Sequence, residues 1–103
     1  MSKPVHPNEF AQAEILHELR RYEQERVGLG DRLWDEIQAA QHLISTYPEI
    51  GETVRRVRRR SVRRFGLRHF PFFLIYREHP DYIELVALAP MSRRPNYWRS
   101  RIS

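Results

Sequence analysis

The spacing of apolar residues changes once along the chain, close to Pro48, and this change restricts the fold more than any other sequence feature. Before it, Ala11, Ile15 and Leu19 recur every four residues, which is the pattern of an amphipathic helix. After Val54 the apolar residues come in short runs rich in aromatic and β-branched side chains, which is typical of strands. Helices followed by strands predict an α+β fold, with an N-terminal helical hairpin packed on a small antiparallel β-sheet.

The first helix is predicted over residues 7–26 and the second over residues 31–47. Pro7 can begin the first helix, because the N–H that proline lacks would have no partner in the first turn. Two glycines within residues 27–30 suit a tight connection, and Asp31 is the predicted N-cap of the second helix. The proline that follows this helix ends it.

Strands are predicted over residues 54–62, 70–78 and 82–89. Residues 79–81 read His-Pro-Asp, a turn composition, so the last two strands should form an antiparallel hairpin. A short leading strand near residues 3–6 could join the same sheet. Alternation in the last strand predicts a shared face for four side chains: Ile83, Leu85, Ala87 and Ala89.

Length and composition restrict the class of protein. A chain of 103 residues predicts one domain spanning residues 1–103. It has no cysteine, which excludes a disulfide framework, and its five histidines lack a metal-ligand spacing. We therefore expect no metal site and no cofactor. The longest apolar run, residues 70–76, is too short to cross a bilayer, so a cytoplasmic protein is expected.

Charge is divided unevenly between the two halves. Residues 1–52 carry five basic and ten acidic side chains, whereas residues 53–103 carry thirteen basic and three acidic ones. Of the eighteen basic residues seventeen are arginine, the side chain suited to bidentate contact with phosphate or carboxylate. The second half therefore predicts an anionic partner.

Eight arginines lie within residues 55–68. In an extended strand Arg56, Arg58 and Arg60 would share one face, and other arginines would occupy the opposite face. The run has two interpretations: a solvated edge strand that charge protects from aggregation, or a surface for nucleic acid or an acidic protein segment. The second is favoured, with the anion-binding residues predicted as Arg56, Arg58, Arg60 and Arg63.

The tail from Arg93 to Arg99 places arginines beside large aromatic residues. Such a pair could stack on a nucleic-acid base and bind its phosphates. Alternatively, Tyr97 and Trp98 fix the tail onto the sheet, and for Trp98 this packing role is favoured. For Arg93 and Arg94 a functional role is favoured.

Several strings, in this order, resemble the RelE/ParE toxin superfamily, and most of all its ParE-like or plasmid-stabilisation branch. They are GLGDRLWDEI at residues 28–37, YPEIG at 47–51, FPFFLIYR at 70–77 and RRPNYWR at 93–99. The resemblance implies a helical hairpin against a curved antiparallel sheet, and a type II toxin held by an antitoxin that wraps it with a helix and an extended segment. An acidic antitoxin tail suits the basic half, and Arg56, Arg58, Arg60 and Arg63 would bind it.

Members of the superfamily differ in target. The resemblance implies inhibition of DNA gyrase for ParE-like members and cleavage of messenger RNA on the ribosome for RelE-like members. Arginine stays protonated and is a poor general base, which favours a non-enzymatic gyrase inhibitor. The predicted target-binding residues are Arg64, Arg77, Arg93, Arg94, Tyr97 and Trp98. In the nuclease alternative the catalytic residues would be Tyr97, Arg77 and Arg94, with His69 as the other evident proton carrier.

One departure from the family pattern concerns the end of the last strand. Many relatives carry a histidine there, in a string resembling AVAH, where this chain has Pro90 after Ala89. A function that depends on that histidine is therefore not expected of this chain.

Overall fold

The computed structural model describes residues 2–102, and it has the expected α+β architecture of two helices and a sheet. In chain order the elements are β1 (Val5–Pro7), α1 (Glu9–Glu25), α2 (Leu29–Thr46), β2 (Glu52–Val57), β3 (Arg60–Gly66), β4 (Phe72–Glu78), β5 (Ile83–Pro90) and a short 3₁₀ helix (Arg99–Ile102). The five strands lie in the order β1-β5-β4-β3-β2. The leading strand is present and runs parallel to β5, so the sheet is mixed, whereas the other neighbouring strands pair antiparallel as expected.

At the N-terminus of each helix, a side chain that precedes the helix accepts hydrogen bonds from backbone N–H groups. Asn8, not Pro7, caps α1, and its side-chain oxygen accepts a hydrogen bond from the Ala11 N–H. At the start of α2 the Glu23 carboxylate accepts from the N–H groups of Gly28 and Gly30. The N-cap of α2 is Gly28, so the predicted N-cap at Asp31, which lies in the first turn, is wrong.

The single strand predicted over residues 54–62 is in fact two strands joined by a tight turn. Arg58 and Arg59 both have positive φ, at 50° and 69°, and Val57 pairs with Arg60 across the turn. Arginine is an unusual residue for this backbone conformation, so composition did not indicate a turn at this position.

A β-bulge in β5 changes which side chains face the helices. Ile75 pairs with Ala87 and Tyr76 with Leu85, so Val86 is an additional residue in β5. Ile83, Leu85 and, beyond the bulge, Leu88 pack with the helices, whereas Ala87 and Ala89 pack on the other side. The predicted shared face of Ile83, Leu85, Ala87 and Ala89 is therefore wrong.

Both faces of the sheet are covered by apolar side chains. The helix face packs against Ala11, Ile15, Leu33, Ile37, Ala40 and Ile44 of the helical hairpin. The opposite side, called here the tail face, packs Val62, Ile75 and Val86 against Trp98 and Ile102 of the C-terminal tail. Trp98 is only 3% exposed, which confirms that it fixes the tail onto the sheet. Within residues 2–102 no helix combines the length and apolar character needed to cross a membrane.

Candidate functional site

A cleft of about 100 Å³ lies on the tail face, where the C-terminal tail crosses the sheet. We call it the tail cleft. Three arginines, Arg64, Arg93 and Arg94, line it together with apolar side chains that include Phe73 and Met91. Five of the six predicted target-binding residues line this cleft: Arg64, Arg93, Arg94, Tyr97 and Trp98. Trp98 contributes as buried support and has almost no surface to offer a target.

Aromatic rings hold two of these arginines in place. The Arg64 guanidinium lies 4.7 Å from the ring centre of Phe73, and the Arg93 guanidinium lies 3.8 Å from that of Tyr97. Arg64 also donates to Glu52 at 3.0 Å, whereas Arg93 and Arg94 have no carboxylate within ion-pair distance among residues 2–102. Two cationic side chains therefore reach the tail cleft with their charge uncompensated.

The position of the tail depends on a carboxylate of α1 that the sequence did not indicate. Glu14 accepts hydrogen bonds from the Leu88 N–H at 3.1 Å, the Tyr97 hydroxyl at 2.7 Å and both terminal nitrogens of Arg101 at 3.0 Å. Arg101 donates a further bond to the Val86 carbonyl. We call Glu14, Tyr97 and Arg101 the tail clasp, because they join the tail to both α1 and β5.

The tail clasp keeps the Tyr97 phenol protonated near neutral pH. Burial raises the pKa of Tyr97 strongly, and the hydrogen bond to the Glu14 carboxylate raises it further, against smaller opposing effects of Arg101 and Arg93. The phenol is therefore protonated, and its proton points at Glu14. This arrangement supports a structural role for the hydroxyl and gives no support to the predicted catalytic role of Tyr97 in RNA cleavage.

Arg77 does not line the tail cleft, in contrast to its predicted grouping with Arg93 and Arg94. Its Nε donates to Glu84 at 2.9 Å, and Glu84 also accepts from His79 Nε2 at 2.8 Å and from Asn8 at 3.1 Å. Burial alone would raise the pKa of Glu84, but these three hydrogen bonds outweigh it and lower the pKa. Glu84 therefore organises a polar cluster with Arg77, His79 and Asn8.

His69, the other proton carrier considered, also lies apart from the arginines of the tail cleft. It follows β3, its side chain is 74% exposed, and its Nδ1 is 2.9 Å from Glu36 of α2. It lines a separate cleft with Tyr22, Arg32 and Glu36. Of the two predicted proton carriers, His69 therefore lies outside the tail cleft, and Tyr97 lines the cleft but donates its hydrogen bond to Glu14.

A second arginine group lies near the β4–β5 turn. Arg56, Arg60 and Arg63 line a cleft of about 400 Å³, together with Arg59 and other polar residues that include Lys3, Glu78 and His79. We call it the hairpin cleft. Arg63 donates to the Gly51 carbonyl at 2.8 Å, and Arg60 Nη1 lies 3.1 Å from His79 Nδ1. Three of the four predicted anion-binding residues are thus together, whereas Arg58 lies at the turn and does not line this cleft.

An apolar groove between α1 and α2 was not predicted. It has a volume of about 580 Å³ and is lined by side chains that include Leu16, Leu19 and Trp34. Leu16 is 46% exposed and Trp34 is 38% exposed, a large exposure for such residues. The apolar spacing of α1 identified Ala11 and Ile15, which are buried; the signals for the groove were Leu16, outside that spacing, and Trp34 in α2.

Comparison with known proteins relates this geometry to one family. Residues 9–95 match the model of a family described as ParE toxin of type II toxin–antitoxin system, parDE. Among solved structures, the fold is similar to a chain of the chromosomal ParDE toxin–antitoxin system from P. aeruginosa, with a TM-score of 0.72 and 14% sequence identity. The alignment covers 88% of this chain and 98% of that one. Comparison with curated proteins finds no match.

Proposed function

Since this chain belongs to the ParE toxin family of type II toxin–antitoxin systems, we propose that it is a cytoplasmic growth inhibitor that binds DNA gyrase. In this proposal the toxin acts by binding alone, and a cognate acidic antitoxin neutralises it. The observation that carries the proposal is the tail cleft, which is lined by Arg64, Arg93 and Arg94, with aromatic rings against the first two. Such rigid aromatic and arginine groups supply most of the free energy at protein interfaces.

A binding role fits the tail cleft better than the nuclease alternative does. Cleavage of RNA by its own 2′-hydroxyl requires a group that accepts a proton, in addition to cations that stabilise the phosphate. The Tyr97 hydroxyl stays protonated and donates its hydrogen bond to Glu14, and Arg77 is held by Glu84 outside the cleft. The residues named for a nuclease site are therefore not assembled around one point, whereas a binding surface needs only the exposed arginines.

The antitoxin proposal rests on two surfaces of opposite character. The exposed Leu16 and Trp34 side chains of the α1–α2 groove suit the apolar face of a partner helix. The hairpin cleft offers Arg56, Arg60 and Arg63 to an acidic extended segment. A single antitoxin chain that covers both surfaces would neutralise charge and bury apolar area at once.

Supercoiling by purified gyrase tests the proposed target. Relaxed plasmid, gyrase and ATP are incubated with increasing amounts of the full chain, and supercoiled product is measured on gels. We expect the wild type to inhibit, and Arg93→Gln/Arg94→Gln to need at least about tenfold more protein for the same inhibition, as loss of interfacial arginines implies. The matched control is Arg26→Gln/Arg68→Gln, which removes the same charge from exposed positions outside the clefts described.

Two results would count against this function. If wild-type protein leaves supercoiling unchanged at micromolar concentration while codon-periodic cleavage of messages appears in cells, the nuclease alternative replaces it. If the control variant loses as much inhibition as Arg93→Gln/Arg94→Gln, net charge and not the tail cleft is responsible.

A further inference from the structure

The turn between β2 and β3 has an unusual combination of backbone and sequence. Arg58 and Arg59, its two central residues, both have positive φ. Two-residue hairpin turns with this backbone favour Asn-Gly, because at positive φ the Cβ of most residues comes too close to a backbone carbonyl oxygen. The chain thus retains two arginines where a more stable turn sequence exists. Residues held in disfavoured backbone regions are often functional, and the property that Arg58 and Arg59 bring to this turn is positive charge.

Among residues 2–102, most of the positive charge on the hairpin around this turn has no ion-pair partner. The two strands and their turn, residues 52–66, contain seven arginines and one glutamate. Arg64 pairs with Glu52, whereas no ion pair involves Arg55, Arg58 or Arg59 within residues 2–102. These three side chains are all exposed. We call them the arginine tip.

The arginines of this hairpin point to both sides of the sheet. Arg55 pairs with Val62, whose side chain packs on the tail face, whereas Arg56 lines the hairpin cleft with Arg63. β2 is also an edge strand of the sheet that residues 2–102 form, so one side of the hairpin has no neighbouring strand there. An acidic peptide strand would cover one face or one edge. Positive charge on both sides, on the free edge and at the turn fits an anion that surrounds the hairpin.

Duplex DNA is such an anion. Its major groove, about 12 Å wide, admits a two-stranded β-ribbon and has phosphates along both walls. Strands about 4.8 Å apart fit this width, and arginine bonds both phosphates and the guanine edge in a bidentate manner. We propose that the β2–β3 hairpin is a DNA-binding ribbon, with Arg55, Arg58 and Arg59 on the phosphate backbone. This goes beyond the proposed function, since neither gyrase binding nor neutralisation requires it.

A direct binding measurement on the full chain tests the proposal without gyrase. Fluorescence anisotropy of a labelled duplex of about two helical turns is followed at salt concentrations from about 50 to 200 mM. The informative variant is Arg58→Asn/Arg59→Gly, because it removes two charges and installs the preferred turn. We expect it to melt at or above the wild-type temperature, to bind DNA about tenfold more weakly, and to lower the salt slope by about 2.

Two further variants distinguish DNA binding by the arginine tip from an effect of the protein's net charge. Arg55→Gln, which lies outside the turn, should lower the salt slope by about 1. The control Arg26→Gln/Arg68→Gln, with the same charge loss as the turn variant, should stay within about twofold of wild-type affinity. Equal loss in the control and the turn variant would overturn the proposal. So would an unchanged DNA affinity in the turn variant accompanied by lost binding of a polyglutamate peptide, which would assign the tip to an acidic protein partner.

Discussion

The tail clasp provides the sharpest test of how the fold positions its binding residues. Glu14→Ala removes one carboxylate that accepts four hydrogen bonds, two of them from the Arg101 guanidinium. Breaking a buried ion pair costs about 3–5 kcal/mol, and partial exposure of Glu14 and Arg101 reduces this to about 3 kcal/mol. For a domain of this size, each 1 kcal/mol corresponds to roughly 4–8 °C in melting temperature. We therefore expect the variant to melt at least about 12 °C lower.

The matched control for this prediction is Glu18→Ala, one turn further along α1. Glu18 pairs with the half-exposed Arg21, an interaction of at most about 0.5 kcal/mol. Thermal unfolding followed by circular dichroism gives both values, and the Arg101→Ala single and double variants give the coupling energy. If Glu14→Ala is no more destabilising than Glu18→Ala, or if its effect simply adds to that of Arg101→Ala, the clasp does not act as a unit and our account of the tail is refuted.

Three other predictions follow from contacts elsewhere in the fold. Gly51→Ala should destabilise by about 1–3 kcal/mol in urea unfolding, because the new methyl carbon would lie 2.6 Å from the Tyr76 hydroxyl; an unchanged midpoint would refute this contact. The lowered pKa of Glu84 means that its bonds stabilise the fold above the ordinary value of 4.5 and are lost as pH falls through the folded pKa. The free energy of unfolding should therefore fall on acidification, and it should fall less steeply in Glu84→Gln. Equal slopes against pH for the two proteins would contradict this role of Glu84. Trp34→Glu should weaken antitoxin binding by at least about tenfold in calorimetry, because it puts a charge into the apolar α1–α2 groove. Unchanged affinity would show that the antitoxin does not bind at this groove.

Local patterns predicted the helices and most strands, because those elements follow from residues close in sequence. Helical spacing placed both helices within about two residues of their observed ends. The β2–β3 turn was not predicted, since the chain has arginines where turn chemistry favours asparagine and glycine. The bulge at Val86 was not predicted because the residues around it are apolar and buried on both faces of the sheet, so the sequence pattern shows no break there.

The candidate site was predictable in composition but not in arrangement. Five of the six residues predicted to bind the target, four of them from the tail, line one cleft. Arg77 is separated from them because the register of β4 and β5 places it opposite Glu84. Glu14 could not be found from spacing, since its partners Leu88 and Arg101 lie 74 and 87 residues away in sequence.

The measurement that bears most directly on the central claim is the affinity of the full chain for purified gyrase, with and without Arg93 and Arg94 of the tail cleft. Thermophoresis with labelled wild type, Arg93→Gln/Arg94→Gln and Arg26→Gln/Arg68→Gln gives three dissociation constants under one condition. Our account predicts a loss of at least about tenfold for the first variant and nearly wild-type affinity for the second. Equal affinities for all three proteins would show that the tail cleft is not the surface that holds the target.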